Sequence, residues 1–124
     1  MVPITAFGRL GDFVGEEVSI QGIIRERDPS NGTKPLKTQK NVVTLTLIDP
    51  HGGEVCMLCA GASAVRVART LDNSGEDCGT VRFGPVRVFV RRDNGSVMLQ
   101  GLNKTTVTPH MSLCKAPIID KSNL

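Results

Sequence analysis

The sequence predicts an all-β domain with one helix, the helix lying between the third and fourth of five strands. Three observations predict it. Apolar and polar residues alternate through four separate stretches, the pattern of strands with one buried face, and a fifth short stretch is apolar on both sides. Only around residues 63–71 do apolar residues recur at helical spacing instead. Turns rich in Gly, Pro, Asn and Asp punctuate the stretches.

A chain of 124 residues is one domain and buries roughly two-thirds of its unfolded surface. No metal or disulfide staple is then required. The net charge of +3 is mildly basic, so local clustering of charge matters more than the total. There is no Trp and no Tyr, and four Phe, which argues against a strong base-stacking surface. Met1-Val2-Pro3-Ile4-Thr5-Ala6 lacks the charged start and long apolar run of an export signal. The expectation is an intracellular protein with four reduced cysteines, its compartment unspecified. Asn31-Gly32-Thr33, Asn94-Gly95-Ser96 and Asn103-Lys104-Thr105 are then turn residues rather than glycosylation sites. No apolar run reaches the roughly 20 residues that span a bilayer, so no membrane partner is expected.

Residues 1–15 read as an irregular N-terminal arm in which Leu10 and Phe13 cover one end of the core, with Gly8, Gly11 and Gly15 breaking any helix. The first strand, 16–25, sets Val18, Ile20, Gly22 and Ile24 on one face and Ser19, Gln21 and Arg25 on the other. Gly22 marks a bulge or a sharp bend. Residues 28–40 form a long loop with two Pro and one Gly, which excludes a regular element. In the second strand, 41–49, Val43, Leu45 and Leu47 oppose Thr44 and Thr46. Asp49-Pro50-His51-Gly52-Gly53 is the hairpin connection. The third strand, 54–60, is apolar on both sides, as in a strand covered on both faces or lying beside a partner.

Ser63 then starts the helix as N-cap, with Ala64, Val65, Ala68 and Leu71 on one face. It ends in the acidic loop 72–77. The fourth strand changes phase at Gly84-Pro85, from Val81 and Phe83 to Val86, Val88 and Val90. Asp93-Asn94-Gly95 is a hairpin turn. The last strand carries Val97, Leu99 and Gly101 and runs to Val107. The barrel then occupies 16–108, and 109–124 is a C-terminal tail.

This order resembles the OB-fold, a five-stranded Greek-key barrel with a helix plugging one end. Gly15-Glu16-Glu17-Val18-Ser19-Ile20-Gln21-Gly22-Ile23-Ile24-Arg25 looks like the first strand of the tRNA-anticodon-type and replication-protein-A-type OB domains. Thr44-Leu45-Thr46-Leu47-Ile48-Asp49-Pro50-His51-Gly52-Gly53-Glu54-Val55 looks like their second and third strands. The resemblance covers about residues 8–108 and implies a groove flanked by the long loop and the last hairpin. It departs in two places. The second and third strands and the last hairpin carry no aromatic residue, and the residues after Pro109 do not read as an assembly helix.

Several residues are candidates for such a groove. Arg87, Phe89 and Arg91 alternate with valines, with Arg82 and Arg92 near; two guanidinium groups could pair with phosphates and the ring stack a base. The plain alternative is a solvated face with Phe89 under an arm or partner. Lys34, Lys37 and Lys40, with Arg25 and Arg27, could grip a phosphate backbone, or form a charged loop that serves solubility. Thr44 and Thr46 could donate to a bound strand, or simply suit strand geometry.

Cys56 and Cys59 have zinc-like spacing, but residues three apart on a strand face opposite ways. Cys78, Cys114, His51 and His110 are scattered, so the pair reads as core thiols and no metal or cofactor is expected. No nucleophile stands with a base, which argues against an enzyme. The leading expectation is a single-stranded DNA- or RNA-binding module, driven by backbone charge with little sequence readout. The alternative is a scaffold subunit that binds protein partners in a nucleic-acid-processing complex.

Overall fold

The computed structural model describes residues 3–35, 41–74 and 80–109, the Ser74 side chain excepted. The strands are β1 (Pro3–Ile4), β2 (Glu17–Asp28), β3 (Lys34–Pro35), β4 (Asn41–Ile48), β5 (Glu54–Ala60), β6 (Thr80–Val90) and β7 (Val97–Pro109). A 3-10 helix spans Phe7–Phe13, and α1, Ala62–Ser74, lies between β5 and β6. The five long strands run in the order β2-β6-β7-β5-β4, and β4 pairs back onto β2 to close the barrel. Within it β5 and β7 are parallel and the other pairs antiparallel.

β2 is long because it turns a corner. Glu17 to Ile23 pair with β6, and Ile23 to Asp28 pair with β4. Register shifts fall in both halves, at Val18/Ile20 and at Ile24/Glu26, and such bulges increase local bend and twist. Gly22 sits at the handover for a second reason. A Cβ there would lie 2.7 Å from Cζ of Phe7 and 3.0 Å from the Ile48 carbonyl oxygen. The missing side chain is the space the Phe7 ring fills.

Alternation along each strand puts one set of side chains inside. Ile20, Val43, Leu45, Leu47, Met57, Phe83, Val88 and Leu99 are fully buried. Full burial of one such side chain contributes about 1.5–3 kcal/mol. The phase change in β6 is real: the register with β7 shifts between Gly84 and Val86, and Val81, Phe83, Val86 and Val88 all reach the core. The Gly84–Pro85 peptide there is cis.

α1 packs on β7, β4 and β5. Its buried face is Ala64, Val67, Ala68 and Leu71, the i, i+3, i+4, i+7 stripe. Val67 takes the place expected for Val65, which is half-buried. Ser63 is not the N-cap. The helix begins at Ala62, Gly61 precedes it with φ +66, and the Ser63 hydroxyl donates to the Ala60 carbonyl at 3.0 Å.

Three more expectations need correction. The first strand runs on to Asp28, because β4 offers it a partner beyond Arg25. The long loop contains β3, where Lys34 and Pro35 pair with Val42 and Asn41. The arm is ordered into β1 and the 3-10 helix. β1 runs parallel to Ser19 and Ile20, and Phe7 and Leu10 are buried. Glycine destabilises an isolated helix, but burial of those two side chains holds one tight turn after another.

Candidate nucleic-acid interface

Paired residues of neighbouring strands share a face, so register reads out the barrel's outer surface. Phe89, Met98, Cys56, Thr46 and Glu26 form one outward row across β6, β7, β5, β4 and β2. Arg87, Gln100, Leu58, Thr44 and Asp28 form the next. The predicted Thr44, Thr46, Arg87 and Phe89 therefore lie on one surface. At its centre Phe89, Met98, Cys56, Leu58, Thr44 and Thr46 are half-buried. The long loop leaves from one end of this face, beside Val42, and the β6–β7 hairpin from the other, beyond Val97.

The cations divide unevenly. Arg25 pairs with Glu54, Lys34 with Asp28 at 3.0 Å, and Arg91 with Asp93. Arg87 and Lys104 share Glu17, at 3.0 Å and 2.7 Å. Those two cations, Lys104 first, hold the Glu17 carboxyl below its ordinary pKa. Arg91 likewise holds Asp93 low. Arg92 is exposed and forms no ion pair among the described residues. Lys37 and Lys40 lie outside the described residues.

Arg27 does not belong to the face. It pairs with Leu45, a core residue, so it points toward the barrel interior. Its side chain is 14% exposed and reaches Asp72 of α1 at 2.8 Å, with the Gly32 carbonyl at 3.4 Å. It ties the helix to β2. Sequence alternation missed this because the shift between Ile24 and Glu26 reverses the phase of the strand. The same shift brings Glu26 and Asp28 onto the outer face beside Thr46 and Thr44. Sequence reasoning also missed Lys104 and Gln100; the outward phase of β7 was the available signal.

Cys59 is buried and Cys56 faces out, 4.0 Å from the Thr46 hydroxyl. Burial pushes the Cys59 thiol up to about 12. Among the described residues no three His, Cys, Asp or Glu side chains gather as metal ligands. No helix there is long and apolar enough to cross a membrane.

No family model matches the sequence, and none of the curated proteins is similar to it. Among solved structures, the chain is similar to one in a replication protein A heterotrimer bound to ssDNA, with TM-score 0.62 and 20% identity over 94% of its length. The barrel is an OB-fold. At that identity the likeness establishes the fold, and the present chain spans 28% of the other. In OB-fold terms, the two outward rows occupy the face between the loop joining the first two barrel strands and the last hairpin.

Proposed function

We propose that this OB-fold binds single-stranded nucleic acid across the face formed by the two outward rows. The observation that carries the reading is the polarity of those rows. Toward β6–β7 lie Arg87 and Lys104, which share the single carboxylate of Glu17, and the exposed Arg92 of the hairpin; the centre offers Leu58, Met98, Cys56 and Phe89; the β2 side offers Glu26 and Asp28, of which Asp28 is paired with Lys34. Phosphates are attracted to the first and repelled by the last, so the backbone runs along β6–β7 and the bases lie over the centre. With Phe89 as the face's single aromatic ring among the described residues, backbone charge supplies most of the affinity and sequence readout is slight. The similar replication protein A heterotrimer, which is bound to ssDNA, supports the same ligand class.

The test is fluorescence anisotropy with labelled single-stranded and duplex DNA and RNA, in parallel, over a salt series. Binding should favour single strands and fall linearly in log K against log salt. Arg87→Glu with Arg92→Glu should abolish it. No binding by the unaltered protein at low salt rejects the reading.

One observation favours a second reading, a scaffold that binds a protein partner. The centre of the face is apolar, and five candidate cations already hold carboxylates. A stoichiometric partner displaced by Leu58→Asp, with no oligonucleotide binding, would select it.

A further inference from the structure

β5 and β7 stay paired only from Cys56–Met98 to Leu58–Gln100. Beyond that point β7 leaves β5. On its other side Gly101 pairs with Val86 and Thr106 with Gly84, so residues 102–105 stand opposite Pro85 alone. This bulge is firmly held. The fully buried Thr105 hydroxyl donates to the Pro85 carbonyl at 2.5 Å and accepts from the Leu102 amide at 2.7 Å. From α1, Arg66 donates to the Asn103 and Thr105 carbonyls at 2.5 Å and 2.9 Å.

The parting of the strands opens a cavity of about 270 Å³, lined by Leu58, Ala60, Gln100, Gly101, Leu102 and Asn103. That is just under the roughly 300–1,000 Å³ of pockets for drug-sized ligands, and suits one planar ring system. Leu58 and Leu102 supply apolar walls. The side-chain amides of Gln100 and Asn103 form no hydrogen bond among the described residues, and each offers both donors and an acceptor. Arg87 is the register partner of Gln100, and Lys104 follows Asn103. The two cations share one carboxylate, Glu17, so the rim keeps a net positive charge.

We propose that this cavity takes one unstacked nucleobase of a bound single strand, its hydrogen-bonding edge against Gln100 and Asn103 and its phosphate at the Arg87–Lys104 rim. This rests on the nucleic-acid reading above and adds a register to it: one position of the ligand is read, and its neighbours are not. The rigid bulge is the reason a base fits there without rearrangement, since Thr105 and Arg66 fix the backbone that forms one wall.

The experiment walks a single abasic residue along a short labelled oligonucleotide, sized to occupy one register. One position should weaken binding about tenfold, as expected for loss of two hydrogen bonds and an apolar contact. The double variant Gln100→Ala with Asn103→Ala should weaken the intact oligonucleotide similarly, leave the salt slope unchanged, and be insensitive to that abasic position. If the variant fails to fold, the abasic walk on the unaltered protein decides. Equal affinity at every abasic position overturns the pocket while leaving the nucleic-acid reading intact. Absence of any oligonucleotide binding overturns both.

Discussion

The carboxylate of Asp49 accepts the main-chain amide of Phe7 at 2.7 Å, across 42 residues of sequence. The same carboxylate accepts the amides of His51 and Gly53, each at 2.8 Å, so one side chain shapes the β4–β5 turn and fastens the N-terminal arm. Asp49 is 5% exposed. The Phe7 amide first, then those of Gly53 and His51, hold its carboxyl below the ordinary value. The folded protein therefore binds that proton less readily than the unfolded chain. The contribution is present above about pH 4 and is lost as pH falls through the folded value.

Asp49→Asn should lower the midpoint of thermal unfolding at pH 7 and flatten its decline on acidification. An amide nitrogen must then face one of the three N–H groups. Thermal melts from pH 7 to pH 3 check this; parallel declines in both proteins would refute it.

Gly22→Ala should destabilise the barrel by about 1–3 kcal/mol, the usual cost of forcing a methyl into a filled core. The new Cβ meets the Phe7 ring at 2.7 Å. The double variant with Phe7→Leu should recover part of the loss. Urea titration gives both numbers, and an additive result would show that the ring and the glycine do not meet.

Arg66→Ala leaves the Asn103 and Thr105 carbonyls without their guanidinium donor. A loss of about 0.5–1.5 kcal/mol is expected, since water can replace the donor at the exposed Asn103 carbonyl. Hydrogen exchange should rise in residues 102–105 before the barrel strands. Unchanged exchange there would remove Arg66 from its anchoring role.

Glu17→Gln should increase affinity for single strands and steepen the salt dependence by about one counterion, because it frees Arg87 and Lys104 from their shared carboxylate. The same titration that tests binding measures it. A loss of affinity would mean that the phosphate backbone runs elsewhere.

Cys56 should react with a brief pulse of alkylating reagent at pH 8 far faster than Cys59, whose thiol is pushed up to about 12 by burial. Peptide mapping separates the two sites. Equal labelling would mean that the outer face of β5 is covered.

Residue spacing alone placed Val43, Leu45 and Leu47 inside, found the helix between the third and fourth barrel strands, and located the kink at Gly84-Pro85. Each is a local property: alternation, a 3.6-residue repeat, or a proline that fixes its own backbone. Their order, with the stretches 15–25 and 44–55, resembled the OB-fold, and the structure shows the barrel closed. Only the tertiary structure decided that Arg27 turns inward to Asp72, that Glu26 and Asp28 border the outer face, and that Phe7 stands where Gly22 has no side chain. A one-residue register shift reverses every side chain beyond it, and the partner of a charge is chosen by whichever strand or helix arrives beside it. Neither is encoded in the spacing of residues along one strand, so the core was legible and the electrostatics of the face were not.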